Sequence, residues 1–232
     1  MAVTATHSRP PWRWVRVWVR AWVRACVGLW LALHLVAPVA WDRDRMLSAA
    51  QRMGPQAVAG ALALQGSIAA SSKLADMGRL QAINQFFNDR ITYAEDLDTT
   101  GEADHWDSPL ELLARGAGDC EDYAIAKYFS LIAAGTPSAS LRLVYVRAQR
   151  SGGVQPHMVL AWYPQPTAEP LILDSLVRDV LPASARRDLV PVFSFNAEGL
   201  WQGAGSERAG DPSVRLSRWR EVLAKARAEG FA

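Results

Sequence analysis

From Lys73 to Arg90 the apolar residues Leu74, Met77, Leu80, Ile83 and Phe87, continued by Ile91, return every three or four positions. That spacing puts them on one side of an α-helix and predicts that this side faces a core. Before it, residues 42–72 are alanine-rich and predict further helix, broken near Gly54-Pro55. After it, Glu95 to Trp106 is polar and acidic and reads as a loop. Ser108-Pro109-Leu110-Glu111 then combines a capping-box serine and glutamate with proline at the first helical position, opening a short helix to about Arg115. Gly116 and Gly118 end it, and a second, apolar helix starts at Cys120 and runs to Gly135.

The texture changes after Pro137. Leu141-Arg142-Leu143-Val144-Tyr145-Val146 is β-branched and aromatic, and so is the run from His157 to Tyr163. The stretch from Gln149 to Gln155, with Gly152-Gly153, predicts a hairpin connection between them. Leu171-Ile172-Leu173-Asp174 supplies a third strand and Val190 to Phe195 a fourth. Helical spacing returns from Val214 to Ala228, at Leu216, Trp219, Val222 and Leu223. Helices followed by a meander of strands predict an α+β fold with an antiparallel sheet.

The first 40 of the 232 residues differ from the rest. Arg9, Arg13, Arg16, Arg20 and Arg24 are interleaved with Trp12, Trp14, Trp18 and Trp22, no acid precedes Asp42, and Ala25 to Trp41 carries no charge. A basic stretch followed by an apolar one predicts export, with residues 1–40 either a cleaved signal ending around Ala37 to Ala40 or a retained membrane anchor. Residues 41–232 form the single remaining domain. Without the leader the chain has 20 basic and 23 acidic side chains, a net charge of −3. Its overall basicity therefore belongs to the leader and says nothing about nucleic acid. Of the two cysteines, Cys26 lies in the leader and leaves Cys120 with no internal disulfide partner. A lone thiol in an exported domain points to a reactive group.

Cys120 lies in Gly118-Asp119-Cys120-Glu121-Asp122-Tyr123, where a loop delivers the sulfur to the first turn of a helix. The partial positive charge of a helix N-terminus favours a thiolate. A general base must come from His105 or His157, since His7 and His34 lie in the leader. His157 opens a predicted strand and Asp174 ends the next one. Adjacent antiparallel strands could set the two side by side, with the Cys120 helix packed across them: thiol, base and orienting carboxylate. Each residue alone also fits an ordinary role. A helix cysteine packs in cores, a histidine at a strand start is satisfied locally, and Asp174 caps a turn. His105 sits in the acidic loop, where a solvated side chain is the ordinary expectation.

The blocks Gly118-Asp119-Cys120-Glu121-Asp122-Tyr123-Ala124-Ile125-Ala126-Lys127-Tyr128, His157-Met158-Val159-Leu160 and Leu173-Asp174, in that order, resemble the bacterial transglutaminase-like cysteine peptidases. Within them the chain is most similar to the LapG-type periplasmic proteases, from about Gln81 to Trp201. The resemblance implies a papain-like core with Cys120 as nucleophile, His157 as base and Asp174 as third member. It also implies a periplasmic enzyme that cuts a large surface adhesin near the adhesin's N-terminus and so promotes biofilm dispersal. An inner-membrane receptor for cyclic di-GMP would hold such an enzyme in check.

Acids beside the cysteine pose a physical problem, because Asp119, Glu121 and Asp122 all disfavour a thiolate. Helix capping is one explanation, since Asp119 is a good N-cap and acids suit a first helical turn. A Ca²⁺ site is the other: hard carboxylate oxygens would hold a cation whose charge reverses the penalty. The resemblance favours calcium, with Asp119 and Glu121 as ligands, Asp122 less firmly matched, and Asp104 or Asp107 as unassigned further donors. The Cys120 N–H is the natural oxyanion donor; for Trp106, packing is favoured over a role for its indole. Two other functions keep the same residues, acyl transfer to an amine and a non-catalytic binding module, and the intact trio argues against the second.

Overall fold

Helices lead the chain and strands follow, as the residue pattern predicts. The computed structural model describes residues 41–231 together with Met1; the predicted leader lies outside the described residues. Helix α1 (Arg43–Met53) is capped by Asp42, which accepts the Arg45 N–H at 3.0 Å. Gly54, at φ 118°, and Pro55 separate it from α2 (Pro55–Ser71). Helix α3 (Asp76–Arg90) buries Leu80, Ile83 and Phe87, followed by Ile91. Leu74 and Met77 are exposed instead of core-facing: Leu74 precedes the helix, Met77 lies in its first turn, and the packed stripe begins only at Leu80.

The acidic stretch after Tyr93 is not all loop, because Asp96–Thr99 forms a one-turn helix, α4. Helix α5 (Pro109–Arg115) carries the expected capping box between Ser108 and Glu111 and ends on Gly116 in the left-handed region, at φ 74°. Two short strands, β1 (Thr92–Tyr93) and β2 (Ala117–Gly118), pair in parallel and tie the end of α3 to the entrance of α6 (Cys120–Ala133). Gly118 has to be glycine. A Cβ there would come within 2.5 Å of Asp122 Oδ2 and 2.6 Å of Leu112 Cδ1.

Seven strands make one antiparallel sheet: β3 (Leu141–Arg150), β4 (Gly153–Trp162), β5 (Leu171–Leu173), β6 (Leu181–Pro182), β7 (Leu189–Phe195), β8 (Leu200–Gln202) and β9 (Arg208–Gly210), in the spatial order β6-β5-β4-β3-β7-β8-β9. His157 sits in mid-strand, paired with Val146, and does not open β4. The first residues of that strand flank a tight turn at Ser151-Gly152 and are largely exposed, so they carry no apolar signal. One sheet face, with Leu141, Leu143, Met158, Leu160, Leu173 and Phe195, joins the helical core. The other holds Val144, Val146, Val159, Ala161 and Ile172.

Helix α6 is the centre of the packing, buried almost throughout from Asp122 to Leu131. Behind it, α7 (Pro212–Arg215) leads into α8 (Ser217–Ala228), whose fully buried Trp219 lies against Tyr128, Phe129 and Phe195. The result is the α+β arrangement in which the helix that begins with Cys120 packs on an antiparallel sheet.

Candidate active site

Cys120 is the first residue of α6, and its neighbours fix the entrance of that helix. Asp122 accepts the Asp119 N–H at 3.3 Å and the Asp107 N–H at 2.7 Å, binding the loop before α5 to the start of α6. The thiol donates to Glu121 Oε2 at 2.9 Å. Burial, then Glu121, then Asp119 push its pKa well above the ordinary thiol value, while the N–H of Met158, next to His157, pulls the other way. The helix N-terminus does not by itself overcome these acids.

His157 and Asp174 lie together in the sheet, both buried, with Nε2 2.8 Å from Asp174 Oδ1. That bond assigns the ring's proton to Nε2 and leaves Nδ1 as the acceptor. Asp174 Oδ1 also accepts the Leu176 N–H at 3.0 Å. Arg186 Nη2 is 2.8 Å from Asp174 Oδ2, an ion pair by distance, although its N–H is aligned with Asp188. Burial pushes the Asp174 carboxyl up, but the bond and charge of His157, the Leu176 N–H and Arg186 outweigh it and hold it well below the usual carboxylate range.

His105 keeps to the acidic loop, with Nδ1 3.2 Å from Glu102 and Nε2 3.3 Å from Asp107. Trp106 stacks on Phe195 at 6.0 Å, and its indole N–H donates to Asp104 at 2.9 Å. Packing describes it better than an oxyanion role.

The acids beside Cys120 form a cluster larger than the sequence suggests. Asp96, Asp119 and Asp122, all buried, each bring an oxygen to within 4.8 Å of the others, and Asp96, Asp104 and Glu121 form an overlapping group. Burial and mutual repulsion push Asp119 up to about 9 and Asp122 up to about 8; Asp96 and Glu121 are raised mainly by burial. Oδ1 of Asp96 and Oδ1 of Asp119 are buried without a hydrogen-bond partner. Buried carboxylates with orphaned oxygens are a donor set that fits a hard divalent cation such as Ca²⁺. Asp107 stands apart, because Arg115 holds both of its oxygens, at 2.8 and 3.1 Å. Asp96 escaped the sequence reading, since nothing distinguishes it locally from Asp98 or Asp104; only the fold brings it to Asp119.

A half-buried thiol at the head of a central helix, packed on a sheet that carries an imidazole–carboxylate pair, is the papain-like plan of transglutaminase-like enzymes, and this protein is a thiol hydrolase of that class. Over residues 61–189 the chain matches the family described as bacterial transglutaminase-like cysteine proteinase, and it belongs to that family. It is similar to the solved structure of Legionella pneumophila LapG, at 40% identity over 80% of this chain and 97% of that one, with a TM-score of 0.69. The calcium-bound form of the same protein gives 39% identity, 79% and 98% coverage and a TM-score of 0.69. Its EGTA-treated form gives 39%, 80% and 97%, and 0.70. No curated protein sequence matches the chain significantly.

Proposed function

We propose that this protein is a calcium-dependent periplasmic endopeptidase that cuts the N-terminal region of a large surface adhesin and so releases it, under the control of an inner-membrane cyclic di-GMP receptor. The buried His157–Asp174 pair, on the sheet against which the Cys120 helix packs, carries the reading. Calcium-bound and EGTA-treated forms of the Legionella LapG and the orphaned acids beside Cys120 support the calcium requirement.

In this reading His157 Nδ1 takes the Cys120 proton, and the sulfur attacks the scissile carbonyl carbon. Asp174, hydrogen-bonded to Nε2–H, keeps Nδ1 free and stabilises the imidazolium. The Cys120 N–H donates to the carbonyl oxygen as it becomes negative. The imidazolium then returns its proton to the leaving amine, and water hydrolyses the thioester with His157 as base. Asp119 and Glu121, joined by Asp96 and Asp122, would hold Ca²⁺, whose charge would compete for the Glu121 carboxylate and lower the cost of ionising the thiol.

Residues 1–40 act as an export signal or an inner-membrane anchor in this proposal, and residues 41–232 as the protease domain. A phosphatase reporter fused after Ala232 is expected to be active, and an inactive but stable fusion contradicts export. For the activity, a purified N-terminal adhesin fragment is incubated with wild type and with Cys120→Ala. Wild type should cut at one region and the variant should not, with circular dichroism showing both folded. Cleavage by both overturns the role of Cys120.

A further inference from the structure

Lys127 is a charged side chain in the hydrophobic core, with 0% of its surface exposed. It lies on α6 seven residues, or about two turns, beyond Cys120, on the same side of the helix. Its ammonium lies 5.4 Å from the centre of the Tyr123 ring, and its one hydrogen-bond partner among the described residues is the main-chain oxygen of Asp174, at 3.0 Å. Asn88 Nδ2 on α3 donates to the same oxygen at 2.9 Å, which fills both of its lone pairs.

Such a lysine is expensive for the fold. A buried cation without a directly paired carboxylate costs free energy that a methionine of similar length would not. Burial lowers its pKa to about 7, against the opposing pull of Asp174. Its single polar contact is nevertheless the residue that orients His157. Helix α6 therefore touches the site twice, at its head through Cys120 and two turns on through Lys127.

We propose that Lys127 is a positioning residue for catalysis: by holding the Asp174 main chain against the nucleophile helix, it sets Asp174, and through it His157, in register with Cys120. The proposal rests on the Cys120–His157–Asp174 reading above. Lys127 touches neither substrate nor the reacting atoms, so its effect passes through Asp174 alone.

The test is a double-mutant cycle between Lys127→Met and Asp174→Ala in the full-length protein, read as kcat and KM for the adhesin fragment with calcium present. Lys127→Met is expected to lower kcat by roughly ten- to a hundredfold, the scale that a misplacement of about 1 Å produces. KM should stay within about twofold, and the melting temperature should hold or rise. In the Asp174→Ala background the same substitution should change kcat by less than about twofold, because the side chain through which it acts is gone. Full kcat in Lys127→Met overturns the proposal, as does an undiminished loss in the Asp174→Ala background. If Lys127→Met does not fold, Lys127→Gln, too short to reach the oxygen, takes its place in the cycle. Failure of both to fold assigns the lysine to the fold and overturns the proposal. Asp174→Ala as active as wild type sinks the triad reading itself, a result distinct from any failure of Lys127.

Discussion

The thiol of Cys120 and the carboxylate of Glu121 are hydrogen-bonded to each other, sulfur to Oε2 at 2.9 Å. In the proposed mechanism Cys120 is the nucleophile, and a proton held by its own neighbour opposes its ionisation, with Asp119 adding to the penalty. Of the acids around the thiol, Asp119 and, beyond it, Asp96 each keep a buried oxygen with no hydrogen-bond partner. In the proposed mechanism cation binding and thiol activation are coupled through the Glu121 side chain.

Stability without metal should depend on pH in a particular direction. Asp119 and Asp122 are raised to about 9 and about 8 in the fold, whereas unfolded aspartate titrates near 3.9. The folded state thus binds more protons at these two groups between these values, so their contribution to stability is fully present below about pH 4 and is lost as pH rises towards about 8 to 9. The melting temperature in EGTA should fall across that range, and calcium should raise it most at the alkaline end. Calcium binding near pH 7 should also release protons, seen as a calorimetric enthalpy that changes with the buffer's ionisation enthalpy. A flat melting profile without proton release contradicts the cluster.

Asp96→Asn tests the cluster's least obvious member. The amide oxygen can still accept the main-chain N–H of His105, so the loop should keep its shape. Calcium affinity should fall by about tenfold or more, while the metal-free protein is as stable as wild type or more so, because one of several repelling acids is gone. Calcium titration followed by melting temperature gives both numbers. Unchanged affinity removes Asp96 from the site.

His157→Ala should lower kcat/KM by roughly 10³-fold or more, and Asp174→Asn equally or less. His105→Ala should stay within a few-fold of wild type, since its main-chain N–H to Asp96 survives the substitution. Steady-state cleavage of the adhesin fragment separates these outcomes. A dead His105→Ala means that the wrong histidine was assigned as base.

The α+β order, the capping box at Ser108 and the meeting of His157 with Asp174 were legible because each is announced by local chemistry: apolar period, cap residues, few histidines. The mid-strand position of His157 was not, because Val154, Gln155 and Pro156 are exposed and lack an apolar pattern. Strands β6, β8 and β9, two or three residues each, are too short to leave a period. Asp96 and Lys127 matter through partners 23 and 47 residues away, Asp119 and Asp174, and no local window contains such pairs.

Trp219 holds α8 to the back of α6, fully buried against Tyr128, Phe129 and Phe195. Trp219→Ala should cost about 3–5 kcal/mol of stability. Urea denaturation monitored by circular dichroism measures it. A loss below about 1 kcal/mol would mean that α8 contributes little to the core.

The coupling of the acids to the nucleophile is tested most directly by the rate at which iodoacetamide alkylates Cys120, located by mass spectrometry, as a function of pH in EGTA and in calcium. Thiolate, not thiol, reacts, so the midpoint of the profile reports the Cys120 pKa. In EGTA, alkylation at neutral pH should be slow and its midpoint well above the ordinary thiol range. Calcium should move the midpoint downward and speed alkylation near pH 7, and magnesium should do so poorly because it keeps its waters. Profiles that coincide with and without calcium would contradict the coupling and leave Asp119 and Glu121 as helix-capping acids.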